Sequence, residues 1–196
     1  MKPEIFDYMR RSVDMEIKTL EALRKSMDIH AFAKAMEFLK ASSLTVTSAC
    51  GSSCFAAQKF AHALCCIEHS AKYVPPSEAV HGGMGALKAG NALVLVSRGG
   101  KTDELSALSE IAKKKQAKII LVTANPNAPL TKTADAVLLI PDLPESDRYG
   151  VMSTTSFCST MSIFNALMVG LMEEDNYRLS DFALIHPGGA VGKQLM

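Results

Sequence analysis

The 196-residue sequence lacks the marks of several large classes of protein. It has no excess of charge of either sign: 21 Lys and Arg face 20 Asp and Glu, for a net charge of +1. Neither nucleic acid nor an acidic membrane is therefore expected as a partner. It lacks paired cysteines. Cys50, Cys54, Cys65, Cys66 and Cys158 are odd in number and carry none of the spacing of a zinc site, which argues against a disulfide framework and a metal centre. Free thiols in a reducing cytosol, hence a cytoplasmic location, fit better. The N-terminus, MKPEIFDYMRRSVDMEI, is charged throughout, so no signal peptide is expected. The most apolar segment, Ser153–Met172, is interrupted by Ser, Thr and Asn and reads as a buried helix, not a membrane span. Two phosphate signatures are missing as well. No loop ends in the Gly-Lys-Ser/Thr of a Walker loop, and no strand runs into the glycine triplet of a dinucleotide fold.

What is present is a core and an alternation. Hydrophobic residues make up 48% of the chain, enough for one domain with a helical extension. Ile5–Lys40 reads as two helices. Ile5, Met9, Val13, Ile17, Leu20 and Leu23 recur at helical spacing, and Asp28 stands where it can cap the second helix. Leu44–Thr47, Ala71–Val74, Ala92–Val96, Lys118–Thr123 and Ala136–Ile140 are short apolar, β-branched runs, the pattern of strands covered on both faces. Helical segments and loops separate them. Alternating strands and helices specify a parallel sheet with helices on both faces, a three-layer α/β/α arrangement. Ligands of such sheets bind outside the C-terminal ends of the strands.

The loops at those ends carry the chemistry. Asn91–Leu105, NALVLVSRGGKTDEL, runs from a buried strand through a hydroxyl, glycines and two cations into a helix that Thr102 can cap. Backbone N–H groups and a helix dipole there suit an anion, most simply a phosphate, although an ordinary helix cap has the same residues. Ser48–Cys54, SACGSSC, is a second strand–loop–helix turn, in which Ser52 and Ser53 can meet phosphate oxygens or merely cap. Ser153–Ser156, STTS, places hydroxyls at a third helix start. His81 lies beside two glycines, and His186 between Ile185 and Pro187–Gly189, with Ser180 placed to cap a short helix before it. Glu145, after the fifth strand, reads either as a crevice-facing carboxylate or as a solvated loop residue.

Taken together, GSS at Gly51–Ser53, EAVHGGMG at Glu78–Gly85, SRGGKTDEL at Ser97–Leu105, STTS at Ser153–Ser156 and FALIHPGGAVGKQL at Phe182–Leu195 resemble the sugar isomerase (SIS) domain, and within it the arabinose-5-phosphate isomerase group. The resemblance implies a five-stranded parallel sheet of flavodoxin-like type with N-terminal helices. It divides the chain into a helical extension over 1–43 packed on an isomerase domain over 44–196. The paired CBS domains of longer members are expected to be absent, because the sequence ends at Met196. The implied reaction interconverts an aldose and a ketose phosphate, ribulose 5-phosphate and arabinose 5-phosphate, through an enediol, with no cofactor and no metal. A non-catalytic phosphosugar-binding module and a 6-phospho-3-hexuloisomerase are the alternatives. The resemblance assigns catalysis to Glu104, Glu145, His81 and His186, with Glu145 as carbon base. It assigns phosphate binding to Gly51, Ser52, Ser53, Ser97, Gly100, Thr102, Ser153, Thr154, Thr155 and Ser156. It also implies a homodimer or homotetramer in which one histidine crosses from a neighbouring subunit. Three departures stand out: Ser52 in place of the group's lysine, Lys101 in place of a glutamate with Arg98 nearby, and MSTTSF at Met152–Phe157.

Overall fold

A computed structural model describes residues Met1–Gly188. Two helices come first, α1 (Pro3–Ser26) and α2 (Ile29–Ala41). Then strand and helix alternate: β1 (Thr45–Ala49), α3 (Ser53–Cys65), β2 (Ala71–Tyr73), α4 (Pro76–Ala79), β3 (Ala92–Val96), α5 (Asp103–Lys114), β4 (Lys118–Thr123), β5 (Ala136–Leu139), α6 (Thr155–Glu174) and α7 (Leu179–Ile185). The five strands form one parallel sheet in the order β2-β1-β3-β4-β5.

Side-chain alternation builds the layers. Ala92, Val94 and Val96 of β3, with Ile120 and Val122 of β4, enter the core shared with α2, α3 and α6. Leu93 and Leu95, with Ile119 and Leu121, enter a second core beneath α5. A strand buried on both faces must be apolar at every position, which is why these two runs stood out in the sequence. Phe60 of α3 stacks on Phe164 of α6, ring centroids 4.2 Å apart, and both are fully buried. α6 is long and apolar enough to cross a bilayer by length and composition, yet its Ile163, Phe164, Leu167 and Leu171 lie in the core. Leu23 of α1 and Ala35, Phe38 and Leu39 of α2 join the same core, so the N-terminal helices share their interior with the sheet. Asp28 accepts from the N–H groups of His30 and Ala31 and caps α2.

Several boundaries shift. β1 runs to Ala49 because it pairs residue for residue with the whole of β3, and that partner outweighs the weak strand preference of Ser48 and Ala49. α3 ends at Cys65, and the chain turns out through Glu68 at φ 62°. α7 begins before Ser180. Its start is held by Asp181, which accepts from the Arg178 N–H and guanidinium, so Ser180 is not the cap.

Candidate active site

In the order 2-1-3-4-5 the chain leaves β1 and β3 in opposite directions along the sheet, and a crevice opens between their C-terminal ends. The loop after β1 enters α3 through Gly51, at φ 59°, and Ser52. The loop after β3 enters α5 through Gly100, at φ 62°, and Thr102. Between them lies a hollow of ≈ 420 Å³ bordered by Cys50, Gly51, Cys54, Tyr73, Ser77, Val80 and Glu104. Two helix N-termini and one exposed carboxylate therefore meet there.

The β3 loop is braced from within. Ser97 Oγ and Thr102 Oγ1 are 2.8 Å apart, and the Gly100 N–H donates to Ser97 Oγ at 3.0 Å. Thr102 thus spends its hydroxyl on Ser97 instead of capping α5. Gly100 has a further reason to be glycine: a Cβ there would collide with Ala128 Cβ and lie 3.2 Å from Thr123 Oγ1. Gly83, beside His81, is required by packing. A Cβ there would lie 2.8 Å from Glu78 O and 2.9 Å from Val74 Cγ1. His81 is exposed and follows Val80, which borders the hollow. Cys50 and Cys54 face the hollow too. Burial, with Glu104 and Cys54 close by, pushes the Cys50 thiol up, so it stays protonated at neutral pH.

Glu145 is not the solvated loop residue that one reading of the sequence allowed. It is only 4% exposed and lies beneath the start of α6. Its Oε2 accepts from the Thr154 N–H at 2.8 Å, Thr154 Oγ1 at 3.1 Å, Thr155 Oγ1 at 3.0 Å and the Ser156 N–H at 3.2 Å. Burial alone would raise its carboxyl. The hydroxyl of Ser156, the N–H groups of Thr154 and Ser156 and the hydroxyl of Thr155 outweigh it and hold the group below the ordinary carboxylate value. A carbon base needs the opposite shift. The carboxylate is the anion that occupies the α6 N-terminus. The hydroxyls of Thr154 and Thr155, expected on phosphate, are committed to Glu145 and to Pro144 O. Ser153 and Ser156 pair with each other at 3.2 Å.

Arg98 joins the two sides of this rim. Its guanidinium donates to Leu143 O at 2.9 Å and stands 3.6 Å from Glu145 Oε1 and 3.5 Å from Asp142 Oδ1. The sequence marked Arg98 only as a spare cation; its partners lie 44 to 47 positions away, and nothing local announces them.

His186 stands apart within one chain. Its ring stacks on Phe182, centroids 3.7 Å apart, and Phe182 borders the same surface hollow as Met172. Met172 lies about 25 Å along α6 from Thr155. Of the expected residues Gly51 and Glu104 thus line the hollow, Ser52, Ser53, Ser97, Gly100 and Thr102 lie on the two turns that lead into α3 and α5, and His81 follows Val80 of the hollow's wall; Glu145 and Ser153–Ser156 form a separate helix cap linked to the β3 loop by Arg98, and His186 lies beside Phe182, away from both. The motif residues Gly189–Leu195 lie outside the described residues. Among the described residues no cluster of three or more His, Cys, Asp or Glu could hold a metal.

Comparison with known proteins places this fold. The family model of the SIS domain matches residues 38–170. Arabinose 5-phosphate isomerase KpsF of Escherichia coli is 29% identical over 195 residues, which cover 99% of this chain and 62% of that protein. The chain therefore spans less than two thirds of that relative. A Listeria monocytogenes protein proposed to be a sugar-phosphate isomerase is 33% identical, with a TM-score of 0.91 over 96% of this chain and 100% of that one. The E. coli CFT073 protein c3406, solved in complex with a phosphosugar, superposes with a TM-score of 0.88 over 95% of this chain and 100% of its own, at 24% identity.

Proposed function

The chain belongs to the SIS domain family, and on that premise we propose that it isomerises a sugar phosphate between aldose and ketose, with ribulose 5-phosphate and arabinose 5-phosphate as the pair to test first. The observation that carries this reading is the crevice between β1 and β3, where Glu104 faces Gly51 across the start of two helices. The phosphate binds at the turns of Ser52–Ser53 and Ser97–Thr102, where hydroxyls and the N-terminal N–H groups of α3 and α5 converge. It fixes the reacting carbons at a distance from itself. Glu104 removes the proton from C1 of the ketose and returns it to C2. Meanwhile O2 gains a proton and O1 loses one, so the enediol carries no net change in composition. An imidazole suits that oxygen step. In this scheme it comes from His81, which follows Val80 of the crevice wall, or from His186 of a second copy of the chain, in a homodimer or homotetramer. No cofactor, metal or nucleic acid is invoked, and a cytoplasmic setting is supported by five free thiols.

Glu145 takes no part in the carbon step in this scheme, because its carboxylate is buried and engaged at α6. A second reading, a phosphosugar-binding module without turnover, is favoured by one observation: a single chain brings Glu104, but not His186, to the crevice. A panel of pentose and hexulose phosphates followed by NMR in D2O separates the readings. Isomerisation is expected, with deuterium entering at C2 of the product. Binding without exchange for every sugar phosphate would replace the isomerase by the binding module.

A further inference from the structure

A phosphate ester entering the crevice brings up to two negative charges toward Asp103 and Glu104, both exposed on the first turn of α5. Without a cation the approach is repulsive. The stretches that flank the crevice, residues 50–53, 74–86 and 97–104, contain two lysines or arginines, Arg98 and Lys101. Their surroundings differ. Arg98 is occupied: its guanidinium faces Asp142 and Glu145 and donates to Leu143 O, on the side of the β3 loop toward β5. Lys101 is exposed and makes no ion pair or hydrogen bond among the described residues. Its place in the backbone is nevertheless fixed. The preceding residue, Gly100, packs on Ala128, donates to Ser97 Oγ and accepts from the Leu130 N–H at 3.3 Å. The following residue, Thr102, is tied to Ser97. Lys101 therefore carries an exposed ammonium, unpaired among the described residues, on the braced turn that leads into α5, the turn on which the proposed phosphate sits.

We propose that Lys101 is the phosphate-recognising cation of this site and sets its preference for the doubly charged ester over the neutral sugar, while Arg98 serves the loops and not the ligand. This rests on the functional reading above, since it takes the crevice as the place where the sugar phosphate binds. Lys101 acts through charge, so its contribution falls with ionic strength. An arginine would replace it; a neutral side chain of similar length would not.

The test is calorimetric or NMR titration of wild type, Lys101→Met, Lys101→Arg and Arg98→Gln with inorganic phosphate and with arabinose 5-phosphate, at low and high salt, beside steady-state kinetics. Lys101→Met should weaken both ligands by about three- to fivefold at low salt, the upper part of the range for losing an exposed ion pair. It should flatten the salt dependence and raise KM more than it lowers kcat. Lys101→Arg should restore affinity to within about twofold. Arg98→Gln should leave phosphate affinity unchanged. Equal affinities in wild type and Lys101→Met, or a loss confined to Arg98→Gln, would overturn the proposal. Wild type that binds neither ligand overturns it together with the functional reading. Wild type that binds both through Lys101 but turns over no sugar leaves the proposal standing and removes the isomerase.

Discussion

Replacing Glu145 by Gln distinguishes a helix cap from a catalytic base. The carboxylate accepts two backbone N–H groups and two hydroxyls within 3.2 Å, and its other oxygen faces Arg98 at 3.6 Å. Gln keeps the volume and one acceptor, but loses the charge and turns an NH2 group toward donors. The loss of charge at a partly buried helix start removes about 1–2 kcal/mol. The weakened hydrogen bonds remove roughly another 1 kcal/mol. The Arg98 pair adds little, since the Arg98 side chain is 39% exposed. A total of about 2–3 kcal/mol corresponds to a fall in Tm of roughly 5–10 °C for a chain of this size. Circular dichroism or calorimetry at neutral pH measures it. The pH dependence supplies a second check. The folded-state pKa lies below the ordinary value of 4.5, so the stabilisation is complete above that value and is lost as pH falls through the folded pKa. The gap in Tm between wild type and Glu145→Gln should therefore narrow in acid. A gap under about 1 °C at neutral pH, combined with loss of deuterium exchange at C2 of the substrate, would refute the cap and return Glu145 to the carbon step.

Other outcomes follow from the same geometry. Glu104→Gln should reduce solvent exchange at C2 by about a hundredfold or more while leaving Tm unchanged, because the side chain is exposed and borders the hollow; full exchange would exclude Glu104 as the base. Gly100→Ala places a Cβ against Ala128 Cβ at a φ of 62°, and should cost about 2–4 kcal/mol through strain and overpacking. A lowered urea midpoint reads that loss, and phosphate affinity should fall with it. Phe164→Ala removes one ring of a stack 4.2 Å apart in the buried core. It should cost about 3–5 kcal/mol in the same urea measurement.

The sheet was legible where burial dictates composition. β3 and β4 fall on the expected residues because a central strand covered on both faces admits only apolar side chains. Ser48 and Ala49 escaped because their strand geometry is imposed by β3, a partner more than 40 positions later. The loops at the crevice were legible as strand–loop–helix turns. Their internal bonds were not: Thr102 can cap a helix or brace a serine with equal chemistry, and only the fold of the turn decides. Glu145 illustrates the same limit more sharply. Its residue type allowed a base or a solvated side chain. The bonds it makes depend on the chain doubling back nine residues later to present Thr154. His186 could not be located from its motif, since the length and direction of α6 carry it to the opposite end of the molecule.

The clasp between Glu145 and Thr154 pinches a ten-residue segment at its neck. Within the segment Asp147 ties off a smaller knot by accepting from the N–H groups of Tyr149, Val151 and Met152. Because α6 takes its starting point from the neck and not from the tip, residues 148–152 can be lengthened, shortened or exchanged without moving the helix behind them. The exposed Tyr149, Val151 and Met152 at that tip are thus a stretch of the rim where new surface can be grafted while the framework beneath keeps its shape.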